Sequence, residues 1–120
     1  MIRMFRVKLV NSLYKKIYNK TNKLTGKLYR DEAWEGVDLI ENTISDCMKE
    51  VGYDGELLIY PIEGGYRTSK DGLAQWKEYE VEINSADGVK EIYGKLNCHA
   101  AGSVNDPFDR YDMSLVINKA

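Results

Sequence analysis

The chain of 120 residues is 43% apolar and 30% charged, with a mean hydropathy of -0.48 and a formal net charge of -2. This balance is typical of an ordinary globular protein and excludes the disordered and fibrous classes. The longest uninterrupted apolar run, Leu57 to Ile62, has six residues, whereas a membrane-spanning helix needs roughly 20. We therefore expect a single domain over residues 1–120 that has no membrane partner.

The first ten residues interleave cations with apolar side chains and lack the continuous apolar stretch of a secretory signal. They predict a cytoplasmic protein. The two cysteines, Cys47 and Cys98, fall on the apolar faces of a predicted helix and a predicted strand, which in a reducing compartment indicates two buried thiols. Two cysteines and one histidine at these spacings form no zinc pattern, so we expect neither a metal nor a cofactor.

Charge is divided unequally along the chain. Residues 1–30 contain nine Lys or Arg and no Asp or Glu, whereas residues 31–120 contain the other eight cations and all nineteen acids. An asymmetry of this size indicates one of two arrangements. Either the basic segment has an anionic partner, or it lies against the acidic part of the same chain or of a second copy.

The basic N-terminal segment, residues 1–30, is predicted to begin with a strand over residues 2–10, because Phe5, Val7 and Leu9 alternate with cations. Apolar residues then recur at nearly helical spacing, which predicts a short helix over residues 12–20. A basic hairpin that turns at residues 21–23 is the alternative.

Residues 31–52 are predicted to form an acidic amphipathic helix, with Asp31 as its N-cap and Gly52 as its left-handed C-cap. Between these ends the apolar residues recur at helical spacing and form one stripe. The opposite face is acidic and carries Glu32, Glu35, Asp38, Glu41, Asp46 and Glu50.

Residues 56–118 are predicted to form an antiparallel meander, with strands at 56–63, 75–84, 89–101 and 111–118. Pro61 lacks an N–H and is expected at an edge or a bulge, and Asp87-Gly88 is a hairpin signal. The second strand alternates apolar residues with Glu78, Glu80 and Glu82, which form a glutamate ladder on its outer face. The elements together predict an α+β fold in two layers, in which a sheet of four to five strands packs one long helix on one face.

The segment between the last two strands holds the side chains best suited to chemistry. Alternation along a strand turns Cys98 and His99 to opposite faces, so the two residues form no catalytic dyad. The candidate catalytic set is His99 as a base oriented by Asp106, Asp109 or Asp112. With a divalent metal on the aspartates, this set corresponds to a metal-assisted hydrolase. Asn105-Asp106-Pro107 is better explained as a turn, so we favour a protein without enzymatic activity.

We expect a small interaction protein that binds an unidentified protein partner through charged patches and imitates phosphates with its carboxylates. The expected partner-binding residues are Glu35, Asp38, Glu41, Glu78, Glu80, Glu82, Asp109 and Arg110. The Lys-, Asn-, Ile- and Tyr-rich composition is typical of accessory proteins of AT-rich phages and mobile elements, many of which inhibit host defence enzymes, anti-CRISPR proteins among them.

Nucleic-acid binding through residues 1–30 is the alternative, with lysines on phosphates and tyrosines stacked on bases. The expected nucleic-acid-binding residues are Lys15, Lys16, Lys20, Lys23 and Lys27. The charge division also fits pairing between copies in a homo-oligomer.

Overall fold

The computed structural model describes residues 2–24, 33–64, 67–68, 70, 75–100 and 111–120. In the part of the chain that the structure describes, two helices precede five strands. The helices are α1 (Ile2–Asn22) and α2 (Ala33–Val51), and the strands are β1 (Glu56–Pro61), β2 (Arg67–Thr68), β3 (Gln75–Asn84), β4 (Lys90–Ala100) and β5 (Tyr111–Lys119). Among these residues no helix is long and apolar enough to cross a membrane.

The strands form one antiparallel sheet in the order β1-β3-β4-β5, and the short β2 pairs with β3 beyond the end of β1. The predicted α+β class and the four-strand meander are therefore confirmed. Asp87-Gly88 forms the predicted hairpin, in which Gly88 has a φ of 84° that only glycine adopts at little cost. Pro61 ends the edge strand β1, as its missing N–H predicts.

The predicted strand over residues 2–10 is wrong, because these residues belong to the 21-residue helix α1. The alternation of apolar and basic residues extends over only a few positions. The stripe of apolar residues at helical spacing in α1 continues much further along the chain, and it decides the structure. In that stripe Leu13 and Ile17 are fully buried, whereas Phe5 and Val7, which suggested the strand, are 76% and 55% exposed. The predicted helix over residues 12–20 is part of α1, and the alternative hairpin does not form.

The helices pack side by side on one face of the sheet, with α1 over β4 and β5 and with α2 over β1 and β4. The sequence predicted one long helix on this face, whereas the described helix layer contains two, because residues 2–10 are helical rather than a strand. Strand residues alternate between this covered face and the outer face, which no described element covers. The buried apolar core comprises Leu13, Ile17, Ile40, Ile44, Cys47, Met48, Tyr53, Tyr79, Val81, Ile83, Ile92, Leu96, Cys98, Met113 and Ile117.

Candidate functional site

The outer face of the sheet is the first candidate surface, and it joins carboxylates to aromatic side chains. The glutamate ladder lies on it, as predicted, and Glu80 pairs across the sheet with Lys95 on β4 and with Tyr60 on β1. Three large apolar or aromatic side chains among the described residues of this face remain open to solvent. Their exposed fractions are 41% for Tyr60, 40% for Tyr93 and 62% for Val116.

Neighbouring cations partly neutralise the glutamate ladder. Lys90 Nζ lies 2.8 Å from Glu82 Oε1, and this hydrogen-bonded ammonium holds the pKa of Glu82 below its ordinary value. Burial and the adjacent Glu82 carboxylate raise the pKa of the Tyr60 hydroxyl above its ordinary value. All three glutamates are half-buried, so each side chain is only partly accessible to a partner.

The helix layer is the second candidate surface, and its two helices carry opposite charges. On α2, Asp38 and Glu41 are exposed, as predicted for the acidic face, while α1 has no acidic residue. The helices are joined by an ion pair in which Lys16 Nζ lies 2.8 Å from Glu50 Oε2. Part of the basic segment therefore lies against the acidic helix of its own chain, and Lys16 is already engaged there.

The expected partner-binding residues do not form one surface. Asp38 and Glu41 lie on the helix layer, whereas the glutamate ladder lies on the opposite side of the molecule, so a flat partner contacts only one set. Glu35 belongs to α2, but its side chain lies outside the described residues, as do Asp109 and Arg110. Among the expected nucleic-acid-binding residues, Lys15, Lys20 and Lys23 are exposed, and Lys27 lies outside the described residues.

The predicted orientation of Cys98 and His99 is confirmed. Cys98 is 3% exposed, and burial raises the pKa of its thiol to about 11, which keeps it protonated and a poor nucleophile. His99 lies on the outer face, where its Nδ1 is 3.7 Å from Asp112 Oδ1. Asp106 and Asp109 lie outside the described residues, among which no group of three metal-ligating side chains occurs. Both cysteines are buried, and they form no disulfide with each other.

A cluster around Arg6 and Glu91 was not predicted from the sequence. Arg6 on α1 donates through Nε and Nη2 to the Glu91 carboxylate and through Nη1 to Asp54 Oδ1 at 2.8 Å, while Tyr53 donates its hydroxyl to Glu91 at 2.6 Å. The Arg6 guanidinium also lies 4.8 Å from the centroid of the Tyr53 ring. The partners are 38 to 85 residues apart in the chain, so no local spacing could reveal them.

A β-bulge aims Glu91 at this cluster. Ile83 pairs with Ile92 and Asn84 pairs with Lys90, which leaves Glu91 without a partner on β3 and turns its side chain toward the helix layer. Its hydrogen bonds to Arg6 hold the pKa of Glu91 below its ordinary value. The groove beside it measures about 700 Å³ and is lined in part by Val7, Val10 and Val89. Since Arg6 already bonds two carboxylates, we assign the cluster to the tertiary structure rather than to ligand binding.

No protein-family model matches this chain, and no curated protein or solved structure is significantly similar to it.

Proposed function

We propose that this protein is a non-enzymatic binding protein whose outer sheet face docks into a cationic groove of a protein partner. The observation that carries the proposal is the uncovered face, on which the exposed Tyr60, Tyr93 and Val116 stand among the carboxylates of the glutamate ladder. Aromatic side chains are enriched at the centres of protein interfaces, where they lose little conformational entropy on binding.

Charge complementarity indicates the chemistry of the partner's binding surface. Among the described side chains of this face, the carboxylates of the ladder and of Asp112 outnumber the cations beside them, Lys90 and Lys95, so the face favours a surface rich in Arg and Lys. Arginine side chains also stack on tyrosine rings. A groove that normally binds nucleic acid is rich in Arg and Lys and offers arginines that can stack on tyrosine rings. This supports the hypothesis that the protein is an inhibitor that occupies the nucleic-acid-binding site of a host enzyme.

The acidic face of α2 is less suited to this role. Two of its carboxylates, Asp46 and Glu50, lie beside Lys20 and Lys16 of α1, so a cationic partner that approached α2 there would meet like charge from the neighbouring helix. The outer sheet face lies on the other side of the molecule from α1. The glutamate ladder, rather than Asp38 and Glu41, is therefore the part of the predicted set to which we assign binding.

The test uses two double variants that each remove two carboxylates. Proteins captured by the immobilised chain from a cell extract are identified, and the purified partner is titrated against both variants. We expect Glu78→Gln/Glu80→Gln to weaken binding about tenfold and Asp38→Asn/Glu41→Gln to leave it nearly unchanged. The wild-type chain should also displace a fluorescent duplex from the partner.

The reverse ranking would contradict the proposal, because it would place the interface on α2. Equal affinity of both variants and the wild type would contradict it as well. A partner that keeps its duplex in the presence of saturating chain would rule out occupation of a nucleic-acid groove while leaving the docking face to be judged by the variants.

A second candidate function is nucleic-acid binding by α1. The observation that favours it is an exposed helix surface without any acidic residue, on which Lys8, Lys15 and Lys20 accompany Tyr18, with the exposed Lys23 in the turn that follows. Such a surface contacts phosphates and releases counterions, so its affinity falls steeply with salt.

For this candidate we expect Lys15→Gln/Lys23→Gln to lower the slope of log affinity against log salt by about two, one for each lost phosphate contact. Lys16→Gln is the matched control, since its ammonium is already paired with Glu50, and it should leave the slope unchanged. Fluorescence anisotropy with a labelled duplex measures both. An absence of binding by the wild-type chain at low salt would eliminate this function.

A further inference from the structure

Strand β5 forms one edge of the sheet, and its hydrogen-bonding pattern shows which backbone groups face outward. Ala120 donates its N–H to the carbonyl oxygen of Glu91 at 3.0 Å. In an antiparallel ladder the bonded pairs recur every second residue, so Ser114 and Val116 also direct their N–H and C=O groups toward β4. The backbone groups of Met113, Leu115 and Ile117 therefore point away from the sheet.

The outward side of β5 has no partner strand in the described part of the chain. The carbonyl oxygen of Ile117 accepts a hydrogen bond from the Tyr14 hydroxyl at 3.2 Å, and it can accept a second. Unpaired edges pair readily with another strand unless charges, proline or bulges block them. The opposite edge is blocked, because β1 is short and ends at Pro61.

β5 carries none of these protections over its central part. It is nine residues long and pairs with β4 without a bulge from end to end. Between Asp112 and Lys119 it contains neither charge nor proline. A bulge-free edge of this length, uncharged at its centre, is self-complementary about its midpoint, Leu115.

Helix α1 presents an uncharged stripe above the same edge, formed at helical spacing by Val7, Asn11, Tyr14 and Tyr18. Tyr14 lies beside Ile117, and Asn11 accepts a hydrogen bond from Lys119 at 3.0 Å, so α1 runs antiparallel to β5. Two strand residues and four to five helical residues both span about 7 Å. Tyr18, which is 53% exposed, is therefore level with Leu115.

We propose that a second copy of this chain pairs with it through β5, antiparallel about a two-fold axis at Leu115, so that the two five-strand sheets join into one continuous sheet. In this register Met113 pairs with Ile117 of the second copy, so each outward N–H gains an acceptor. The two Tyr18 rings meet near the axis on the helix side. The two Val116 side chains, 62% exposed in one copy, lie diagonally across the axis on the outer face.

The spacing of the elements accommodates this pairing. Helix α1 contacts β4 as well as β5, so its axis lies inside the sheet edge. Adjacent strands are about 4.8 Å apart, so the two α1 helices come roughly one helix spacing apart, 8–10 Å. The pairing also leaves the outer face uncovered, so it is compatible with the proposed docking function but does not depend on it.

The test compares two substitutions at equally exposed valines. Val116→Glu puts two carboxylates across the axis, while Lys95, its cross-strand neighbour on β4, stabilises the single copy. Val89, also 62% exposed, lies at the β3–β4 hairpin. We expect a concentration-dependent dimer in sedimentation velocity for the wild type and Val89→Glu, and a dissociation constant raised about tenfold for Val116→Glu.

Amide hydrogen exchange gives an independent readout within the same strand. The amides of Ser114 and Val116 should be protected at every concentration, because they bond to β4. The Leu115 amide should become protected only as the dimer forms. A wild-type chain that remains monomeric at millimolar concentration would overturn the proposal, and so would a dimer that Val116→Glu leaves intact or in which Leu115 exchanges freely.

Discussion

Gly94→Ala is expected to lower the free energy of unfolding by about 3 kcal/mol, the largest effect we predict for a single methyl group. Gly94 on β4 pairs with Ile117 on β5 at a position where the two backbones approach closely. A Cβ at residue 94 would overlap the carbonyl oxygen of Val116 and come within 3.0 Å of the Cα of Ile117. Both are backbone atoms, so β5 itself must move. Urea denaturation measures the loss.

Gly88→Ala is the control for this prediction. A Cβ at residue 88 meets no atom within 4 Å, but the φ of 84° is unfavourable for alanine and costs about 1 kcal/mol. Gly94→Ala should therefore destabilise the protein considerably more than Gly88→Ala. Equal losses would mean that β5 adapts to the added methyl group without strain.

Glu91→Gln is expected to lower the free energy of unfolding at neutral pH by about 2 kcal/mol. The Glu91 side chain is 14% exposed and accepts hydrogen bonds from both Arg6 and Tyr53. Glutamine keeps the shape of this side chain but removes the charge that pairs with the guanidinium. Since Arg6 fixes the start of α1 and Glu91 fixes the start of β4, the loss is one of tertiary structure.

The pH dependence of this loss has a definite sign. Arg6 holds the pKa of Glu91 below its ordinary value of 4.5 in the folded protein. The unfolded chain therefore takes up the proton first as the pH falls, and the stabilisation declines from about pH 4.5 downward. Wild type and Glu91→Gln should differ most at neutral pH and converge in acid.

Glu56→Gln, a change at an exposed carboxylate at the start of β1, is the control and should change the free energy of unfolding by less than about 0.5 kcal/mol. Denaturation curves at several pH values provide the measurement. A difference between wild type and Glu91→Gln that stays constant from neutral pH into acid would contradict the assignment of the stabilisation to the Glu91 charge.

The strands could be predicted because a half-buried strand alternates apolar residues, which face the core, with polar residues, which face solvent. Tyr79, Val81 and Ile83 face the core, and the glutamate ladder faces outward, as the alternation of β3 predicts. The same period-two pattern gave a wrong prediction of a strand at residues 2–10, because so short an alternation is also compatible with a helix. The stripe from Leu9 to Leu24 resolves the ambiguity, because its buried members recur at a spacing that only a helix places on one side.

The sequence by itself determined the α+β class, the order of the meander, the burial of both cysteines and the placement of the ladder on an outer face. These depend on local periodicity and on turn residues, which act within a few positions. Only the tertiary structure decided that the ladder and the acidic face of α2 lie on opposite sides and that Lys16 is paired with Glu50. The same holds for Arg6 and Glu91, which are 85 residues apart and meet because packing of α1 on the sheet and a bulge in β4 bring them together.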